Sequence, residues 1–306
     1  VVSKDVIITT GMYNNFTKSN RPLIAVVGFT ASGKSAFGMH LARQFRGEII
    51  AADAMTVYKK FDIGTAKPTQ KEMYEIQHHM INVADAKDGY SVAEFKKMTQ
   101  KCIDEVHCRG KLPILVGGSG LYVNSILYDY EFRAQPANSI LRQQLDDMNT
   151  TELVALAHKK GLSTAGIDTK NKRRLIRLIE TNGQTASAKP LRENTLVLGI
   201  HLPKDVHKRR IENRVDAMLK QGLEAEVRAL SAEYGWEVEP MKAIGYREWR
   251  AYFEGDENLD IVRRKIITHT MQLVKKQRTW FKRDNNVIWV NNINEAVAYT
   301  TTFLNK

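Results

Sequence analysis

Cysteine is almost missing from this chain: Cys102 and Cys108 are the only two among 306 residues. They fall six apart in one stretch of helical spacing, and helical neighbours lie three or four apart, so the pair predicts free thiols in a reducing, cytoplasmic setting. No Cys-x-x-Cys occurs and the eight histidines are scattered, which removes the usual zinc frameworks. The adjacent His78-His79 would point to different faces of a strand or helix and read as packing or substrate-contacting residues. No apolar run nears the ~18 residues of a membrane span. Val6-Ile7-Ile8 is too short for a secretory signal core, and residues 1–20 lack the arginines of a transit peptide. That segment reads as a leader outside the fold.

Acidic residues are also in deficit, 34 against 46 Lys and Arg, which leaves a net charge of +12. Such a field attracts polyanions and makes nucleic acid a leading partner class, beside the plainer reading of a basic, solvated surface. Otherwise 43% apolar and 26% charged residues describe an ordinary globular protein of one large domain, or of a core with an inserted lobe.

What is present is phosphate chemistry. Gly28-Phe29-Thr30-Ala31-Ser32-Gly33-Lys34-Ser35 is a P-loop. Its glycines turn backbone N–H groups inward around an anion, Lys34 neutralises charge, and the Ser35 hydroxyl can hold Mg²⁺. The motif sits in its confirming context, a strand Leu23 to Val27 before it and a helix Ala36 to Phe45 after it. A second strand, Glu48 to Ala52, delivers Asp53 at its carboxyl end, where ligands bind in open parallel sheets. The strand Leu112 to Val116 ends in glycines, without the Asp that energy-transducing ATPases place there. This favours group transfer over NTP hydrolysis.

Further along, Met80 to Val83 reads as a weaker strand. Ser91 and Glu94 form a capping box for a helix to Cys108 that Gly110 stops. Helices at Ser139 to Asp147, Thr151 to Lys160 and Lys172 to Thr181 occupy an interval without strands, and the chain returns at a strand from Thr195 to Leu202. Helices follow at Asp205 to Lys220, Leu223 to Ala232 and Asp260 to Lys282, then a strand Val287 to Val290 and a last helix. The alternation predicts an α/β fold: a P-loop NTPase-like parallel sheet flanked by helices, with an inserted all-helical lobe. The expected division is a core of residues 21–128 and 195–306 and an insertion of 129–194. The helix from Asp260 carries Arg263, Arg264, Lys265, Lys275, Lys276, Arg278, Lys282 and Arg283 without an acidic residue from Ile261 onward, which reads as a face for an RNA backbone.

Taken together, the P-loop, Asp53-Ala54-Met55 with Val57-Tyr58, Asp62-Ile63-Gly64-Thr65-Ala66-Lys67-Pro68, His78-His79, Arg173-Arg174-Leu175 with Arg177, Gly245-Tyr246-Arg247 and Lys276-Gln277-Arg278-Thr279-Trp280 follow a known order. The chain resembles the tRNA dimethylallyltransferases, or tRNA isopentenyltransferases, of bacterial type. The resemblance implies transfer of a dimethylallyl group from dimethylallyl diphosphate to the exocyclic amine of adenosine 37 in tRNA, with Mg²⁺ as cofactor, the P-loop gripping the diphosphate, and a monomer as the working unit. It implies Asp53 as the base toward the amine, with Thr30, Lys34 and Arg214 completing the catalytic set and residues 28–35 the diphosphate cradle. It also implies tRNA contacts at Asp53, Ala54, Met55 and Thr56, at Ser119 and Arg142, at Arg173, Arg174, Leu175, Ile176 and Arg177, and at Lys242, Ala243, Ile244, Gly245, Tyr246 and Arg247.

From the residues alone, Asp53 could instead cap the next helix or hold Mg²⁺. Three positions depart from the family pattern: Phe29 for proline, Ser119 for threonine, and Asn138 for aspartate. Three other functions stay open at this point, namely prenylation of free adenine nucleotides, a P-loop kinase, and a non-catalytic RNA-binding protein.

Overall fold

The computed structural model describes residues 21–132, 139–184 and 187–305. The expected leader 1–20 and the departure at Asn138 lie outside them. The chain forms two compact units, one from the segments up to Tyr128 and from Leu191, the other from Asp129–Pro190.

In the first unit the chain runs β1 (Leu23–Val27), α1 (Lys34–Gln44), β2 (Gly47–Ala52), α2 (Gln70–Glu75), β3 (His78–His79), α3 (Val92–Cys108), β4 (Leu112–Gly117) and α4 (Gly120–Leu127). The second unit holds α5 (Ser139–Asp147), α6 (Thr150–Lys159) and α7 (Lys172–Glu180). Back in the first unit come β5 (Thr195–Ile200), α8 (Lys204–Lys220), α9 (Leu223–Tyr234), α10 (Arg250–Glu254), α11 (Leu259–Phe281), β6 (Val287–Val290) and α12 (Ile293–Leu304). The six strands lie in the order β3-β2-β4-β1-β5-β6, all parallel. Among the described residues no helix is long and apolar enough to cross a membrane.

Both sheet faces are covered, which is why β1 reads as an unbroken apolar run rather than an alternating one. Leu23, Ala25 and Val27 face a core that includes Phe95, Ile103, Ile211, Val262 and Trp249. Ile24 and Val26 face a second core with Met39, Leu41 and Ala296. Val27 and Ala52 both pair with Gly117, so the loops after β1, β2 and β4 leave one edge side by side.

The strand expected at Met80 to Val83 is not there. The edge strand is His78–His79, paired to Ile49 and Ile50. Met80 and Asn82 take left-handed backbone angles, φ 63° and 57°, which a strand cannot continue through. The capping box at Ser91 is present in both directions, with the Ser91 hydroxyl accepting from the Glu94 amide. Cys102 is half-buried and Cys108 exposed, and neither is in a disulfide.

The helical unit has its own core of Leu145, Leu153, Ala157, Leu175, Ile176, Leu178 and Ile179. Leu175 and Ile176, placed above in an RNA-contacting strip, are buried there, while Arg173, Arg174 and Arg177 on the same helix are exposed. Arg142 is held by Asp146 and Glu180 in ion pairs of 3.1 Å each. Leu175→Ala is therefore expected to act through folding. Truncating a fully buried leucine costs about 3 kcal/mol, to be read as lost hydrogen-exchange protection across α5 to α7, with the exchange of the sheet strands unchanged.

Candidate active site

The P-loop is shaped from outside by side chains of α8 and α11. Gly33 has φ 97° and caps α1, a left-handed turn that a residue with a Cβ enters only at a cost. No side chain caps α1, so its first-turn N–H groups stay available to an anion. The Thr30 peptide is held on both sides: its N–H donates to Gln277 Oε1 at 2.9 Å, and its carbonyl accepts from His207 Nε2 at 2.6 Å. Gln277 Nε2 also donates to the Gly118 carbonyl at 2.9 Å, linking the P-loop to the end of β4. Arg210 donates to the Ser32 carbonyl at 3.1 Å.

Because a carbonyl only accepts, His207 carries its proton on Nε2, and burial pulls its pKa down. Phe29, the departure from proline, is buried between His207 and Trp289, with ring centroids 5.9 and 5.8 Å away and the Arg278 guanidinium 5.2 Å from its own. The large ring is thus accommodated as a packed anchor for the loop.

Two cavities share the walls Thr30, Asp53, Thr65 and Arg214. The larger, about 400 Å³, is lined on its apolar side by Ile211, Val215, Met218, Ile266 and Leu273, and on another by Ala54, Met55, Ser119, Ala243, Ile244 and Gly245. The smaller, about 90 Å³, reaches Lys34, Ser35, Thr56 and His78. Asp53 thus stands where the two meet.

One Asp53 oxygen accepts from the Met55 amide at 2.9 Å, which closes a turn and not a helix, since the next helix begins at Gln70. The Ser119 hydroxyl accepts from the Ala54 amide at 3.1 Å, fixing the peptide beside Asp53. Thr56 keeps a buried hydroxyl without a partner. His78 donates from Nδ1 to the Ile76 carbonyl at 2.7 Å, and burial lowers its pKa. His79 is bound instead to Glu48 at 2.7 Å, away from the cavities.

The electrostatics are unbalanced. The Lys34 ammonium is enclosed by protein atoms, although the residue keeps some exposed surface. Its burial first, and then the charge of Arg214, push it down to about 8 against the pull of Asp53. Burial also draws the Arg214 guanidinium down, opposed only by Asp53. Two enclosed cations facing one carboxylate make a site short of negative charge, which an anion restores.

For a cation, Ser35 offers a hydroxyl at the first turn of α1. Among the described residues no group of three or more His, Cys, Asp or Glu stands ready to chelate. The Ser35 hydroxyl is a hard oxygen donor of the kind that Mg²⁺ takes beside water and phosphate oxygens.

The remaining predicted contacts divide. Arg247 is paired with Glu248 at 3.1 Å and Lys242 with Glu237 at 3.3 Å. Tyr246 is wholly buried, so its side chain does not face an incoming ligand. On and just after α11, Arg263 and Lys265 are paired with Asp216 and Glu257 and Arg278 covers Phe29, while Arg264, Lys275 and Lys276, and the following Lys282 and Arg283, are exposed. The basic face is real but smaller than the residue count suggests. Gln277, His207, Arg210 and the Ser119–Ala54 bond were not foreseen as parts of the site. Each acts on backbone, which a side-chain motif does not encode.

Residues 56–284 match the family described as IPP transferase. The chain is 39% identical over 280 residues to the tRNA dimethylallyltransferase of Exiguobacterium sp., covering 88% of this chain and 90% of that one. It is 35% identical over 285 residues to the tRNA dimethylallyltransferase of Bacillus subtilis, covering 89% and 91%. Its fold is similar to the crystal structure of the full-length tRNA isopentenylpyrophosphate transferase of Bacillus halodurans, with a TM-score of 0.72, 33% identity, and coverage of 93% and 97%. An anion cradle, a carboxylate at the end of the next strand and relatives matched over nearly their whole length agree: this chain belongs to the IPP transferase family.

Proposed function

We propose that this protein transfers a dimethylallyl group from dimethylallyl diphosphate to the exocyclic amine of adenosine 37 in tRNA. The products are N6-isopentenyladenosine and pyrophosphate. The observation that carries the reading is the pair of enclosed, under-neutralised cations, Lys34 and Arg214, opening onto the same cavity as Asp53. The apolar wall of Ile211, Val215, Met218 and Leu273 beside the phosphate cradle suits a prenyl chain.

In this reading the P-loop amides of residues 28–35, Lys34 and Arg214 hold the diphosphate. Negative charge grows on it as the carbon–oxygen bond breaks, so these groups stabilise leaving more than binding. Mg²⁺ near Ser35, when bound, supplies further charge to the same leaving group. The adenine amine attacks the prenyl carbon that carries the diphosphate, its proton passes to Asp53, and the electron pair of the broken carbon–oxygen bond leaves with pyrophosphate. Thr30, a cradle residue whose peptide is held by Gln277 and His207, also lines both cavities with Asp53 and Arg214.

The tRNA would meet the rim made by Ala54 to Thr56, Ser119 and residues 242–247. The exposed Arg173, Arg174 and Arg177 of the 129–194 insertion, with Arg142, would serve as backbone contacts, and residues 21–128 and 195–306 as the catalytic core. The target base must be turned out of its stack to reach Asp53, at a cost of a few kcal/mol. We expect a monomer acting in the cytoplasm.

Incubation with dimethylallyl diphosphate, Mg²⁺ and unmodified tRNA, followed by nucleoside mass analysis, tests the reading. Appearance of isopentenyladenosine at position 37 supports it. Preferential labelling of AMP or ATP in competition with an anticodon stem-loop would move the assignment to free nucleotides.

A further inference from the structure

Two loops that wall the larger cavity are joined by one side chain from outside it. Gly64 and Thr65 come from the turn after β2, and Ala243, Ile244 and Gly245 from the segment before α10. Behind them, on α9, Glu226 takes its place among three consecutive backbone donors. Its Oε2 accepts from the amides of Asp62 at 3.1 Å and Ile63 at 2.7 Å, and its Oε1 from the amide of Gly64 at 3.0 Å. The same Oε1 accepts from the Tyr246 hydroxyl at 2.7 Å.

Consecutive N–H groups converging on one carboxylate form a nest for an anion supplied by the protein itself. Charge-assisted bonds of this kind are about twice as strong as neutral ones. Tyr246 completes the junction: its ring is fully buried, and a Cβ on Gly64 would sit 2.5 Å from it, so only glycine lets the loop close on the ring. Burial first, with Glu226 beside it, pushes the Tyr246 phenol above its usual range, so it remains a donor. The loop end fixed in this way continues to Thr65, whose carbonyl lies 3.5 Å from the Arg214 guanidinium.

We propose that Glu226 is a positioning residue that fastens the 62–65 turn, on the diphosphate side, to the 243–246 segment, on the acceptor side, so that both substrates meet one rigid wall. The proposal rests on the functional reading above for what the wall does, but not for its existence. Sequence separation conceals it, since Glu226 lies 162 residues from Gly64.

Glu226→Gln keeps the size, retains one acceptor oxygen and turns an NH₂ toward amide donors. Wild type, Glu226→Gln and Tyr246→Phe are compared by hydrogen exchange resolved to peptides, and by steady-state transfer to an anticodon stem-loop with the active fraction titrated. Glu226→Gln is expected to raise exchange at residues 62–65 and 243–247 together by about tenfold or more, with the sheet strands unchanged. It is expected to lower kcat by about 10- to 100-fold per active molecule with KM for either substrate within about threefold, the signature of misplacement and not of lost binding. Tyr246→Phe removes one of the four bonds and should fall between.

Unchanged exchange at 62–65 in Glu226→Gln overturns the proposal. So does exchange that rises throughout the protein with wild-type kcat in the remaining folded fraction. If the wild type itself transfers nothing to RNA, the functional reading fails, and the exchange data still decide whether Glu226 holds the two loops together.

Discussion

Asp53→Asn is expected to lower turnover by about 10²- to 10⁴-fold, the range of a lost general base, while RNA binding stays within about threefold of wild type. The substitution isolates the chemistry because its structural cost is small. The oxygen that accepts from the Met55 amide at 2.9 Å survives in asparagine, so the turn after β2 keeps its cap. What disappears is the charge and the ability to take a proton from a weakly nucleophilic amine.

A second readout comes with it. Asp53 is the group that opposes the fall of the Lys34 pKa, so removing its charge lets Lys34 drop below about 8 and moves any Lys34-dependent pH limb downward. Single-turnover rates and a filter-binding isotherm on the same anticodon stem-loop check both. Wild-type turnover in Asp53→Asn would remove Asp53 as the base, and a loss confined to RNA affinity would make it a contact residue.

The parts of this site that were legible in the sequence are those in which a local pattern carries its own physics. A β-branched run, a glycine loop and a helix in order predict β1, the P-loop and α1, because strand, nest and helix dipole are made by neighbours in the chain. Asp53 was legible for the same reason, since a buried strand ends at its carboxyl edge.

The edge strand was misplaced because the apolar run Met80 to Val83 contains two residues whose left-handed angles depend on tertiary context, while His78-His79 pairs with β2 despite its polarity. The clamps on Thr30 were illegible. Gln277 lies 247 residues away and His207 lies 177 away, and both address backbone groups that every residue has. Tyr246 shows the opposite limit. Its motif was visible, but only the fold shows that the ring is 0% exposed and that its hydroxyl donates to Glu226.

Lys34→Gln is expected to lower kcat/KM for the prenyl donor by about 10²- to 10³-fold, the scale of one oriented charge at a developing anion, and to change two pH dependences with opposite signs. In the folded protein Lys34 titrates at about 8 in place of its usual 10.5. Between those values the unfolded chain holds a proton that the folded chain has released, so this group makes stability rise with pH across that window. Binding runs the other way. The diphosphate is held by the ammonium form, so wild-type kcat/KM for the prenyl donor falls about tenfold per pH unit above about 8, the limit for loss of one required proton.

Glutamine abolishes both trends: the alkaline limb of kcat/KM disappears, and so does the gain in stability between pH 8 and 10.5 relative to wild type. Arg214 remains in the variant, which is why the loss stops short of complete inactivation. Urea unfolding at pH 7.5 and 9.5, with kcat/KM profiles over the same range, checks the pair of trends. A limb near 8 that survives in Lys34→Gln would assign it to another group, and the enclosed-cation account of the diphosphate cradle would then fall with it.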